Sequence, residues 1–188
     1  MKHNREYEIA WQGLKPGTHT LEYDIDDRFM QERGCSDEFT SWSAKVKLVF
    51  DKHEGFFMLH FDIGGNVTVP CDRCGDDFKL DLWDEFNLII KLTSEETDDT
   101  EDEDDVVFIP RSETVIDLST WIYEYVMLSV PLQHIHPDKA DGEPGCNPQA
   151  LHLLDELREH EEPKANPLWK GLEGIKIQEE TKTKKTKK

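Results

Sequence analysis

The strongest constraint on the fold is a long run of alternating apolar and polar residues that begins near Ser43. Successive side chains of an extended strand point to opposite faces, so a period of two places the apolar members on one face. The run predicts a meander of antiparallel strands with one buried face, or a partly open barrel, in an α+β fold with a few packed helices. The apolar members are Val46, Leu48, Phe50, Phe57, Leu59, Phe61, Ile63, Phe78, Leu80, Leu82, Phe86, Leu88, Ile90 and Leu92.

Glycine-containing stretches are predicted to separate these strands. His53-Glu54-Gly55 and Gly64-Gly65-Asn66 both carry the residues that favour turns. Near the start of the chain, residues 7–11 and 18–23 flank a Pro-Gly turn signal and predict a β-hairpin or two successive edge strands. Residues 24–33 are predicted to form a short helix.

Helical spacing appears later in the chain. Residues 106–110 predict a short returning strand. Asp117 is a predicted N-cap for a helix that Pro131 ends, and a second helix is predicted over residues 148–159. The first of these helices is expected to pack on the sheet through Leu118, Ile122, Tyr125 and Val126.

A Cys-x-x-Cys knuckle, Cys71-Asp72-Arg73-Cys74, interrupts the alternating run. Two cysteines at this spacing supply half of the four ligands that a structural zinc site needs. His136 and Cys146 are the candidates for the other half, with His134 as the alternative imidazole. The prediction is a structural Zn²⁺ bound by Cys71, Cys74, His136 and Cys146.

Two other uses of the cysteines have weaker support. A redox dithiol is the rival for Cys71 and Cys74, but the pair does not follow a strand at the start of a helix, as a thioredoxin-type motif requires. A catalytic zinc keeps a position open for water, whereas all four predicted ligands come from the protein. Cys35 lies far from the set in sequence and is expected to be a buried or free thiol.

The charge is strongly unbalanced. The formal net charge is -19, which opposes non-specific attraction to nucleic-acid phosphates and suits a basic protein partner. No apolar run is long enough to cross a membrane and no signal peptide is visible, so a soluble cytoplasmic protein is expected.

Two charged segments are predicted to be disordered. Residues 95–105 contain nine carboxylates and no apolar side chain, which predicts a disordered acidic loop. Residues 181–188 form a lysine-rich tail without apolar anchors. The predicted organisation is one domain over residues 1–176 followed by the disordered basic tail at 177–188.

Several motifs taken together resemble the YceD family. They occur in the family's order: Cys71-Asp72-Arg73-Cys74-Gly75 with Phe78, then Ile116-Asp117-Leu118, Leu128-Ser129-Val130-Pro131, His136, Cys146, Asn166-Pro167-Leu168-Trp169, Leu172 and Ile175-Lys176. The resemblance runs from about residue 65 to 176, and the amino-terminal strands fit only by pattern. Many members have a second cysteine pair where this chain has His136 and Cys146, and a His-for-Cys exchange preserves a zinc tetrahedron.

The resemblance implies a non-enzymatic role in the accumulation of large-subunit ribosomal RNA, and hence in ribosome biogenesis. Family genes often neighbour the gene of a small, basic large-subunit ribosomal protein, so such a protein, or a precursor particle, is the expected partner. The alternatives are a direct RNA-binding module that uses the lysine tail, and a metal or thiol protein of another function. No small-molecule substrate is expected.

Overall fold

The computed structural model describes residues 5–94 and 106–160. The predicted acidic loop at 95–105, the basic tail at 177–188 and the Asn-Pro-Leu-Trp motif at 166–169 lie outside the described residues. Contacts divide the chain into two compact units, Met1–Asn147 and Pro148–Lys188. The single domain over 1–176 stays a prediction.

Seven strands and three α-helices make up the secondary structure of the described residues. In chain order, the strands and α-helices are β1 (Glu8–Ile9), β2 (Gly17–Asp26), α1 (Asp27–Gln31), β3 (Thr40–Lys52), β4 (Phe56–Pro70), β5 (Asp77–Thr93), β6 (Val106–Pro110), β7 (Ile116–Asp117), α2 (Ser119–Leu128) and α3 (Pro148–His160). Two single 3₁₀ turns lie at Arg5–Tyr7 and Trp11–Gly13. The α+β prediction is confirmed.

Five strands form one sheet in the order β2-β3-β4-β5-β6. The first three pairings are antiparallel, as the alternating pattern predicted. The last, between β5 and β6, is parallel. The described strands form an open sheet and not a closed barrel, because β2 and β6 lie at opposite edges.

The core lies on one face of this sheet, where the predicted alternation holds. Val46, Leu48, Phe50, Phe57 and Phe61 are completely buried. Helix α2 covers this face, as predicted. Its Tyr125 ring stacks on Phe86, with 4.6 Å between centroids, and meets Phe61 edge-on at 5.0 Å.

The predicted turn at Gly64-Gly65-Asn66 is wrong, since β4 continues through it and pairs on both sides. Gly65 has a φ of +152°, and a Cβ there would overlap Ala44 Cα and Ser43 O on β3. The glycine therefore permits a close approach of two strands rather than a reversal of the chain.

The amino-terminal hairpin is also not formed. Strand β1 pairs with β7, which joins Ile9 to Ile116 across more than half of the chain. Burial explains why β1 pairs with β7 and not with β2. Tyr7 and Ile9 are each only 4% exposed, and Tyr7 stacks on Tyr23 of β2 with 5.5 Å between ring centroids. Strand β2 is an edge strand of the main sheet, as the alternative prediction had it.

The predicted helix over 24–33 is shorter than expected. Strand β2 extends to Asp26, whose side chain accepts a hydrogen bond from Phe29 N at 2.9 Å and caps α1. The strand therefore includes residues 24–26, which were predicted to belong to the helix.

Candidate metal centre

The knuckle is the loop between β4 and β5. Pro70 at the end of β4 pairs with Asp77 at the start of β5. Within the loop, Cys71 N donates to Asp76 O at 3.0 Å and Gly75 N donates to Cys71 O at 2.9 Å. Gly75 has a φ of +78°, a left-handed conformation that glycine adopts at little cost. These bonds fix a tight turn that carries both Cys71 and Cys74.

The segment after α2 attaches to this turn through its backbone. Asp72 N donates to His134 O at 2.8 Å, and His134 N donates in return to Asp72 Oδ2 at 2.6 Å. His134 Nδ1 lies 3.3 Å from Pro70 O and 3.6 Å from Asp72 Oδ1. His134 therefore anchors the segment and leaves the next imidazole, that of His136, to face the cysteines.

Gly145 brings the last cysteine into position. A Cβ at this residue would overlap Pro137 O and would lie 3.2 Å from His136 Cβ. Only a residue without a side chain permits so close an approach of the two segments. Asn147 then donates through Nδ2 to Asp76 Oδ2 at 3.0 Å, which ties the end of the segment back to the knuckle.

The four predicted residues come together. One ligand atom from each of Cys71, Cys74, His136 and Cys146 lies within 4.8 Å of the other three. Cys71 Sγ lies 3.7 Å from Cys146 Sγ, and Cys74 Sγ lies 3.5 Å from His136 Nδ1. Cys71 and Cys146 are buried, while Cys74 and His136 are half-buried.

The short distances fit a tetrahedral zinc site. Two Zn–S bonds of about 2.3 Å at a tetrahedral angle place the sulfurs about 3.8 Å apart, and a sulfur and an imidazole nitrogen are then about 3.6 Å apart. The Cys71–Cys146 and Cys74–His136 distances of 3.7 Å and 3.5 Å are close to these values. Three thiolates and one imidazole are also a donor set that Zn²⁺ commonly takes in structural sites.

The surroundings of the two buried thiols shift their pKa values in opposite directions. Burial opposes ionisation of Cys71, but hydrogen bonds from the backbone N–H groups of His136, Arg73 and Cys74 outweigh it and lower the pKa of Cys71 to about 6. Burial and the neighbouring thiols raise the pKa of Cys146. Two thiolates at this distance repel each other, and a cation between them would remove that repulsion.

Aromatic rings support the two histidines. The His136 ring packs on Phe78 of β5 with 4.6 Å between centroids. The His134 ring meets Phe39 edge-on at 5.7 Å. These contacts restrict the orientation of each imidazole, in the way that outer contacts orient metal-binding histidines.

Sequence reasoning did not identify Asp72, Asp76, Gly145 or Asn147 as parts of this centre. Position was the usable signal, since Asp72, Gly145 and Asn147 each adjoin a predicted ligand. Cys35 lies apart from the cluster, with its Sγ 3.8 Å from Met127 Sδ, and burial raises its pKa.

Comparison with known proteins identifies the family. The sequence model described as "Large ribosomal RNA subunit accumulation protein YceD" matches residues 59–176, more than half of the 188 residues. The chain belongs to the YceD family. No curated protein and no solved structure shows a significant match.

The YceD match includes the whole candidate centre. It begins near the start of β4 and contains the knuckle, α2, His136 and Cys146. Strands β1, β2 and β3 precede the matched range. None of the helices in residues 5–94 and 106–160 is long and apolar enough to cross a membrane.

Proposed function

We propose that this protein is a non-enzymatic ribosome biogenesis factor that promotes the accumulation of large-subunit ribosomal RNA in the cytoplasm. Membership of the YceD family is the single observation that supports this function. The family is described by that accumulation and not by a reaction.

In this proposal Cys71, Cys74, His136 and Cys146 hold a structural Zn²⁺. Their short distances and their donor atoms support this assignment. With four ligands from the protein, the ion has no open position for a water nucleophile. Its role is to join the β4–β5 loop to the segment that follows α2.

The partner in this proposal is a basic component of the large subunit, either a ribosomal protein or a precursor particle. The net charge of -19 supports this choice. A surface of this charge speeds association with a cationic partner and disfavours bare RNA, whose phosphates carry the same sign.

The proposal is tested by deleting the gene and measuring the amount of mature large-subunit ribosomal RNA. We expect less of this RNA relative to the small-subunit RNA, and recovery when the wild-type gene is returned. A low-salt pull-down of the tagged protein is expected to recover large-subunit proteins or precursor particles. Normal ribosomal RNA after deletion, with neither class of partner recovered, would contradict the proposal.

The role of the zinc is tested in the same strain with two cysteine variants. We expect Cys35→Ser to restore the ribosomal RNA, since Cys35 lies outside the cluster. Cys146→Ser is expected to restore less, in proportion to the folded protein that remains. Full recovery with metal-free Cys146→Ser would show that the metal is dispensable for the function.

A further inference from the structure

Trp83 is an exposed aromatic residue on the face of the sheet opposite the core. It lies on β5, and its side chain is 82% exposed, the highest value for an aromatic residue in the described part of the chain. Its neighbours on the strand, Leu82 and Asp84, point toward the core side, where Leu82 is buried. Trp83 therefore contributes nothing to the core and leaves a large apolar surface in water.

The residue opposite Trp83 leaves space beside the ring. Trp83 pairs with Gly64 of β4, which pairs in turn with Lys45 of β3. Gly64 is exposed, and no atom lies within 4 Å of the position where its Cβ would be. The indole thus borders an open notch on the sheet surface.

Three carboxylates lie near this notch on the same face of the sheet. Asp81 and Glu85 lie two residues before and after Trp83 on the same strand, and therefore on the same face. Asp62 pairs directly with Glu85 across β4 and β5, and all three acidic residues are exposed. We call Trp83, Gly64, Asp62, Asp81 and Glu85 the Trp83 patch.

The nearby cations only partly balance these carboxylates. Lys45 Nζ lies 3.4 Å from Asp24 Oδ1, on the far side from Trp83. Lys47 lies opposite both Glu22 and Asp62 in the strand register, and His60 Nε2 lies 4.0 Å from Glu85 Oε2. Lys79 precedes Asp81 by two residues on the same face. Two like charges directly opposite each other, as in Asp62 and Glu85, destabilise a sheet unless a cation joins them.

An aromatic ring beside carboxylates is suited to a guanidinium group. The face of an indole attracts a cation, and arginine is the cation that most often occupies such a position. Carboxylates at its edge accept the guanidinium N–H donors in charge-assisted hydrogen bonds. The same carboxylates repel nucleic-acid phosphates, and their charge opposes a purely apolar partner.

We infer that the Trp83 patch binds an arginine side chain from a basic protein segment. The inference rests on the proposed function, because it specifies where the basic partner of the large subunit contacts this chain. The arginine would therefore bind on the exposed face of β4 and β5, on the opposite side of the sheet from the core.

A peptide of alternating glycine and arginine, labelled with a fluorophore, is the probe for binding to the purified full chain. We expect the Trp83→Ala variant to bind about five- to tenfold more weakly than the wild type, and Trp83→Tyr to retain most of the affinity, since a tyrosine face also attracts a cation. The same peptide with citrulline in place of arginine is expected to show no measurable binding to the wild type or to either variant. Thermal unfolding checks that each variant is folded. We expect both to fold, because the Trp83 side chain is exposed and not part of the core.

Charge-matched variants separate the patch from the general acidity of the chain. Asp62→Asn with Glu85→Gln is expected to weaken binding at least fivefold, and Glu113→Gln with Glu124→Gln, which removes the same charge from exposed positions elsewhere, to weaken it less than twofold. Equal affinity of Trp83→Ala and the wild type, or equal losses in the two double variants, would overturn the inference.

Expression of Trp83→Ala in the deletion strain distinguishes the two proposals. We expect it to restore large-subunit ribosomal RNA only in part. Full restoration by Trp83→Ala would overturn the Trp83 patch and leave the biogenesis role standing. Normal ribosomal RNA in the deletion strain itself, with neither class of partner recovered by the wild-type protein, would contradict that role, whatever the peptide measurements show.

Discussion

The Sγ atoms of Cys71 and Cys146 lie 3.7 Å apart, although 75 residues separate the two cysteines in the chain. Among residues 131–147, Cys146 is the only buried one. This segment therefore gains little from hydrophobic burial and depends on hydrogen bonds and the thiol cluster to stay in place. The main sheet, in contrast, has a dense core of its own.

Replacing a cluster cysteine is expected to remove the metal. Protein purified with zinc should contain about one ion per chain, and Cys146→Ser should contain almost none, because three remaining ligands hold Zn²⁺ far more weakly than four. Cys35→Ser should keep the ion, since its Sγ contacts Met127 and not the cluster. Elemental analysis of the three proteins checks this, and a metal-free wild type that unfolds at the same temperature as the zinc-loaded one would contradict a structural role.

Gly145→Ala should disturb the centre without removing a ligand. The new Cβ would overlap Pro137 O, so the segments that carry His136 and Cys146 must separate. We expect zinc affinity to fall by about 10- to 100-fold, as when outer contacts of a metal site are lost. Competition with a chromophoric chelator measures the change. Gly13→Ala is the control, because nothing lies within 4 Å of a Cβ there, and an equal loss in both variants would argue against the predicted overlap.

Alanine at two adjacent glycines of β4 should change the stability of the protein by very different amounts. Gly65→Ala combines a φ of +152° with overlap of the β3 backbone, and we expect it to lower the free energy of unfolding by about 2–4 kcal/mol. Gly64→Ala meets nothing within 4 Å and should change that free energy by less than about 0.5 kcal/mol. Urea unfolding of both variants provides the test, and similar values for the two would show that β3 and β4 are not held so closely.

Alkaline pH should destabilise the protein partly through Tyr23. Burial, with a smaller effect from Tyr7, raises the pKa of Tyr23 from 10.0 to about 12. The folded state thus keeps this proton to higher pH than the unfolded chain, so its contribution is complete below pH 10 and is lost as pH rises to about 12.

Tyr23→Phe tests this dependence, because phenylalanine has no proton to lose. We expect its urea midpoint to fall less between pH 9 and about 11.5 than that of the wild type, with groups common to both proteins cancelling in the difference. Parallel curves for the two proteins would show that Tyr23 ionises as readily in the folded state as in the unfolded one.

Periodicity along the sequence was enough to predict the sheet. Apolar and polar residues alternate along each strand because one face of the strand is buried, as at Val46, Leu48 and Phe50 and later at Phe57 and Phe61. This pattern lies within each strand and needs no information from distant residues. The cysteine spacing similarly predicted a ligand pair, since Cys-x-x-Cys fits one turn of backbone. The matching half, His136 and Cys146, was predicted from residue chemistry, and the structure brings all four residues together.

Tertiary contacts decided the features that no local pattern encodes. The sequence left His134 and His136 as alternatives, and the structure places His136 in the cluster because His134 is bonded to Pro70 and Asp72. Likewise, Gly65 has the local signature of a turn, but only the approach of β3 shows that it is needed within a strand. The pairing of β1 with β7 has the same origin, because the burial of Tyr7 and Ile9 depends on segments that lie far away in the chain.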